Sequence, residues 1–83
     1  MSRRKQKDPM AEVHAARRHN LLLLVDQHGG RKGLGEALGY SNGSYISQLI
    51  GGRREVSEQT ARVIEGRLNL VHGWMDKAAK VPP

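Results

Sequence analysis

Apolar residues recur at three- and four-residue spacing along most of the chain, and nowhere in the strict alternation of a half-buried strand. From Met10 to His28 one stripe runs through Val13, Arg17, Leu21, Leu24 and His28, widened by Val25, and Gly29-Gly30 ends it as a flexible C-cap. Arg31 to Leu38 reads as a short second helix with Leu34, Ala37 and Leu38 inward. Gly39 supplies the left-handed backbone that a tight helix-to-helix turn needs. Ser41 or Asn42 caps a third helix that ends at Gly51-Gly52, and Arg53 to Val56 is a loop. Ser57 caps a fourth helix, with Glu58 in its first turn and Ala61, Ile64 and Leu68 on its buried stripe. Val71 to Ala79 predicts a fifth, shorter helix that folds Trp74 and Met75 back on the bundle. The expected fold is all-α: a compact five-helix bundle.

The predicted core is Leu21, Leu24, Val25, Leu34, Ala37, Leu38, Ile46, Leu49, Val56, Ala61, Ile64, Leu68 and Trp74. With no Phe in the chain, Trp74 is expected to carry a large share of the buried area. Leu22 and Leu23 cannot both point inward beside Leu21 and Leu24, so at least one is left to the surface or to a partner.

Composition narrows the class. Eighty-three residues make one small domain with a modest core. Residues 1–9 lack hydrophobic periodicity and are expected to form a disordered basic arm, residues 10–80 the folded domain, and residues 81–83 a tail. The longest apolar run, Leu21 to Val25, is far too short to cross a bilayer, and no apolar stretch follows the N-terminal charges as in a signal peptide. Absence of Cys excludes a disulfide framework and a thiolate zinc site, and it fits a reducing cytoplasm. The net charge of +6 favours a polyanionic partner, and about half of that excess lies in the arm, where Arg3, Arg4, Lys5 and Lys7 face Asp8 alone.

Catalytic and metal chemistry find little support. His14, His19, His28 and His72 form no recognisable ligand spacing, and no metal or other cofactor is expected. Gly30-Arg31-Lys32-Gly33-Leu34-Gly35 lacks the Gly-Lys-Ser/Thr ending of a phosphate loop, and no strand precedes it. Nothing places a nucleophile beside a base, so enzyme activity is not expected. The third helix is more informative. Ser44, Tyr45, Ser47 and Gln48 make a polar face beside apolar Ile46, Leu49 and Ile50, a pattern suited to the DNA major groove.

Arg31 to Ser57 resembles the helix-turn-helix of phage repressors, Cro proteins and Xre-like bacterial regulators, the lambda-repressor-like family. The matching positions are Leu34-Gly35, Gly39, Ile46-Ser47 and Gly52-Arg53, and Leu70-Val71-His72-Gly73-Trp74-Met75-Asp76 resembles the start of that family's fifth helix. The likeness spans roughly Arg17 to Asp76. Two departures stand out: the turn Gly39-Tyr40-Ser41-Asn42-Gly43-Ser44 is one residue longer than usual, and Gly35 occupies a position where Ala is common.

The resemblance implies double-stranded DNA as partner, with the third helix in the major groove and the second crossing the backbone. Base contacts are then expected from Asn42, Ser44, Tyr45 and Gln48, with Ser47 open between base and phosphate. Phosphate contacts are expected from Arg31 and Lys32 at the start of the second helix and from Arg53 and Arg54 after the third. The arm residues Arg3, Arg4, Lys5 and Lys7 either enter a groove or lie along phosphates, or else form a solubilising tail. One such helix reads few base pairs, so a homodimer on a pseudo-palindromic operator is expected, with Leu70 to Val81 and an exposed Leu22 or Leu23 as its surface. The implied role is a small phage or prophage transcriptional regulator, cytoplasmic and nucleoid-associated. Two alternatives stand beside it: an antitoxin or protein-partner adaptor, and a charge-driven nonspecific nucleic-acid binder.

Overall fold

The computed structural model describes residues 10–81 and 83. The expected arm, with Arg3, Arg4, Lys5 and Lys7, lies outside the described residues. Among the described residues four α-helices follow one another: α1 (Ala11–Gln27), α2 (Arg31–Ala37), α3 (Ser44–Ile50) and α4 (Glu58–Arg67). A single 3-10 turn, Trp74–Asp76, follows them, and there is no strand among the described residues. No helix among them is long and apolar enough to cross a membrane.

Local chemistry sets these boundaries much as the pattern predicts. α1 closes at the glycine pair, where Gly30 donates to the Val25 carbonyl at 2.9 Å. Ser57 caps α4, its Oγ accepting the Thr60 amide at 3.1 Å. The core forms from Leu21, Leu24, Leu34, Leu38, Ile46, Leu49, Val56, Ala61, Ile64 and Met75. α2 and α3 pack on each other and both rest on α1, whose other flank holds the 3-10 turn.

The core differs from expectation in detail. Met75, not Trp74, takes the central position; Trp74 is partly buried, as are Val25 and Leu68, and Ala37 is exposed. Leu22 is the member of the adjacent pair left exposed, at 47%.

The predicted fifth helix does not form. Gly73 sits at φ +91°, Asn69 at φ +59° and Lys77 in extended conformation, so only one 3-10 turn survives. The physical reason is competition for backbone groups. Asn20, fully buried on α1, donates through Nδ2 to the carbonyls of Trp74 (2.9 Å), Met75 (3.2 Å) and Lys77 (2.8 Å), and its Oδ1 accepts the Ala79 amide at 2.8 Å. Glu65, buried on α4, accepts the amides of Gly73 at 2.9 Å and Met75 at 2.8 Å. Carbonyls and amides satisfied by side chains need no helical partner.

An ion network completes this attachment. Arg17, 2% exposed within the apolar stripe of α1, donates through Nε to Asp76 at 2.8 Å and through Nη1 to the Val56 carbonyl at 2.9 Å. Arg62 donates to Asp76 at 2.8 Å and pairs with Glu65 at 3.0 Å. The hydrogen bond from Arg17 holds the Asp76 carboxyl below its ordinary range, opposed by partial burial and reinforced by Arg62. The C-terminal segment is therefore tied to α1 and α4 by buried polar side chains as much as by Met75.

Candidate nucleic-acid interface

The α2-turn-α3 unit begins with tight packing between the two helices. Tyr40 donates its amide to the Gly35 carbonyl at 2.8 Å across a left-handed Gly39, and Arg67 from α4 donates to the Leu38 carbonyl at 2.6 Å. A Cβ on Gly35 would collide with the backbone carbonyl oxygen of Asn42. The position requires glycine in this longer turn, where Ala would drive the turn off α2.

Asn42 starts α3 through an Asx turn, its Oδ1 accepting the Ser44 amide at 2.8 Å. Neither predicted cap holds the N-cap position, which falls on Gly43 with no side-chain cap; Asn42 acts one residue earlier, through this turn. Asn42 and Ser44 are both exposed, at the leading edge of α3. Buried Ile46 and Leu49 anchor the opposite face.

Each of the other polar residues of α3 has a distinct partner. Ser47 Oγ accepts from Arg31 Nη1 at 3.2 Å. Gln48 Oε1 accepts from Arg54 Nε at 2.8 Å. Tyr45 turns sideways: its hydroxyl lies 3.4 Å from Thr60 Oγ1, its ring meets Tyr40 edge-on at 5.2 Å, and the Arg54 guanidinium stands 5.8 Å over it. Tyr45 thus braces α3 against α4, and the outward face comprises Asn42, Ser44, Ser47 and Gln48.

Two of the cations expected to meet phosphate, Arg31 and Arg54, touch that face. Arg31 and Lys32 are exposed at the start of α2, and Arg53 and Arg54 are exposed in the loop after α3. The α3 C-terminus folds back so that the Arg53 and Arg54 amides donate to the Gln48 carbonyl at 3.1 and 3.4 Å. That reversal brings Arg54 beside Gln48.

One further cation was missed in the sequence. Arg18 on α1 lies against the α3–α4 loop, with Nη2 3.9 Å from Glu55 Oε1 and close enough to Gly52 to crowd any Cβ there. The signal for it was the Arg17-Arg18 pair. Arg17 occupies the buried stripe, and the next residue on a helix points about 100° away, toward the loop.

Chemically the surface is a row of neutral hydrogen-bonding side chains with guanidinium groups on both sides. It can meet a polyanion while presenting donors and acceptors to its interior edges. No protein-family model, curated protein or solved structure matches this chain.

Proposed function

We propose that this protein binds double-stranded DNA in a sequence-specific manner, placing α3 in the major groove as a small transcriptional regulator. One observation carries the reading: the exposed polar face of α3 is bracketed by Arg31 and Arg54, each hydrogen-bonded to an α3 side chain. A surface built only for solubility has no need to order its cations against neutral readers. The resemblance to phage repressors and Cro proteins supports the same assignment.

Lys32, Arg53 and Arg18 then meet phosphates and set register, while Asn42, Ser44, Ser47 and Gln48 face base edges. Tyr45 supports α3 from behind. The protein acts as a homodimer on an inverted repeat, in the cytoplasm with the nucleoid. Leu22, Val71 and Val81, exposed at 47%, 77% and 68%, supply apolar surface for the second copy. The same exposed residues favour, as a second reading, an adaptor that holds a toxin-type partner.

Selection of bound duplexes from a random library at near-physiological salt tests the proposal. The expected result is one inverted repeat with half-site centres about 34–36 Å apart. Recovery of no enriched sequence would refute it.

A further inference from the structure

We propose that Arg54 is a positioning residue that turns Gln48 into a donor-only reader, so that the base facing Gln48 is guanine. The inference rests on the DNA-binding reading above and specifies its chemistry at one position. An unconstrained glutamine reads adenine with both ends of its carboxamide, accepting from N6–H and donating to N7. Gln48 is not unconstrained. Its Oε1 accepts from Arg54 Nε at 2.8 Å, and a guanidinium has no acceptor, so the amide cannot be reversed in this pair.

Arg54 is itself held in place. Its backbone amide donates to the Gln48 carbonyl at 3.4 Å, and its guanidinium stands 5.8 Å over the Tyr45 ring. Tyr45 in turn is braced by Tyr40 and Thr60. The chain Tyr40–Tyr45–Arg54–Gln48 therefore sets one side-chain orientation from residues of α3, the turn before it and the loop after it.

What remains for the groove is a set of donors. Gln48 Nε2 has no hydrogen-bond partner among the described residues, and neither do the Nη groups of Arg54 beside it. Guanine presents two adjacent acceptors, O6 and N7, to such a surface. Adenine would turn its N6–H2 donor toward these N–H groups. The pair discriminates between the two purines by the sign of one hydrogen bond.

Duplex selection with four proteins tests this: wild type, Gln48→Ala, Gln48→Glu and Arg54→Met, each checked for helix content by far-UV circular dichroism. Gln48→Ala identifies the symmetric position that Gln48 reads by relaxing it. There the wild type is expected to prefer guanine over adenine by about tenfold. Arg54→Met retains an apolar stem over Tyr45 but frees Oε1, and adenine should rise to parity or above. Gln48→Glu keeps the Arg54 bond and exchanges the free amide for an acceptor, moving the preference to cytosine or adenine.

Adenine at this position in the wild type would overturn the inference. So would an Arg54→Met protein that weakens equally on all sequences and keeps guanine, the behaviour of a phosphate clamp. Enrichment of no site by the wild type would remove the DNA reading, and this inference with it.

Discussion

Replacing Asn20 should loosen the C-terminal segment before the rest of the domain unfolds. Asn20 is fully buried and makes contact with three carbonyls and one amide of residues 74–79. Its Nδ2 has only two hydrogens to share among the three carbonyls, so the side chain supplies about three hydrogen-bond equivalents. At roughly 1 kcal/mol net for each, Asn20→Ala loses about 3 kcal/mol. Alanine returns about 0.5 kcal/mol through its better helix propensity in α1. The net loss is therefore about 2–3 kcal/mol, against the roughly 4–12 kcal/mol typical of a domain this size.

Trp74 is the only tryptophan and lies in the segment that Asn20 holds, so its fluorescence reports that segment specifically. In urea, the Asn20→Ala fluorescence transition should fall at lower denaturant than the far-UV circular dichroism transition. In the wild type the two should coincide. Asn20→Asp sharpens the test, because it points a carboxylate at three carbonyl oxygens. Burial and those oxygens raise its pKa, so the variant should gain stability on mild acidification toward pH 4. Coincident transitions in Asn20→Ala, with stability within about 0.5 kcal/mol of wild type, would refute the claim that Asn20 holds this segment.

Other expectations follow from the same contacts. Asp76 has its carboxyl pKa lowered by Arg17 and Arg62, so its contribution to stability is complete above the ordinary carboxylate range and is lost as pH falls through the lowered value. Urea titrations of Asp76→Asn should show lower stability at pH 7 and a flatter decline than wild type below about pH 4. Gly35→Ala gains about 1 kcal/mol of helix propensity but drives a Cβ into the Asn42 carbonyl, and overpacking against backbone costs about 1–3 kcal/mol. Its melting temperature and its DNA affinity should both fall. Lys32→Ala and Arg53→Ala, both at exposed positions, should weaken binding evenly across sequences and each lower the salt slope by about 1.

The sequence was most legible where the determinants are local. The apolar spacing of α1, the glycine pair after it, the Ser57 cap and the Gly39 turn each act within a few residues, and each appears where the pattern puts it. The C-terminal segment was misread for the opposite reason. Val71, Trp74 and Met75 do carry helical spacing, but the groups that override it sit on other elements: Asn20 on α1, more than fifty residues upstream, and Glu65 on α4. Arg17 could be placed on the buried stripe by its spacing, yet nothing nearby identified Asp76 as its counter-ion. At the candidate site, the seven-residue α3 is too short for its periodicity to separate outward from sideways positions. Tyr45 was therefore grouped with Ser44 and Gln48, and only the Tyr40, Thr60 and Arg54 contacts tell it apart.

The buried polar network also bears on the candidate interface, because Arg17 ties it to the α3–α4 loop. One end of its guanidinium meets Asp76, and the other donates to the carbonyl of Val56, the buried residue that closes the α3–α4 loop. Arg53 and Arg54 extend from that loop, and Arg18, the residue after Arg17, reaches Gly52 at its start. α1 thus fixes the loop from two successive residues, one buried and one at the surface. Arg17→Met would free the Val56 carbonyl and leave Asp76 with Arg62 alone, so stability and duplex affinity should fall together. Arg54→Met removes an exposed side chain outside the core, so base preference should change while stability stays within about 0.5 kcal/mol. A chain with so small a core has reason to arrange its contacts this way. One buried guanidinium joins the C-terminal segment to the loop that orients Gln48, and a separate surface guanidinium does the orienting.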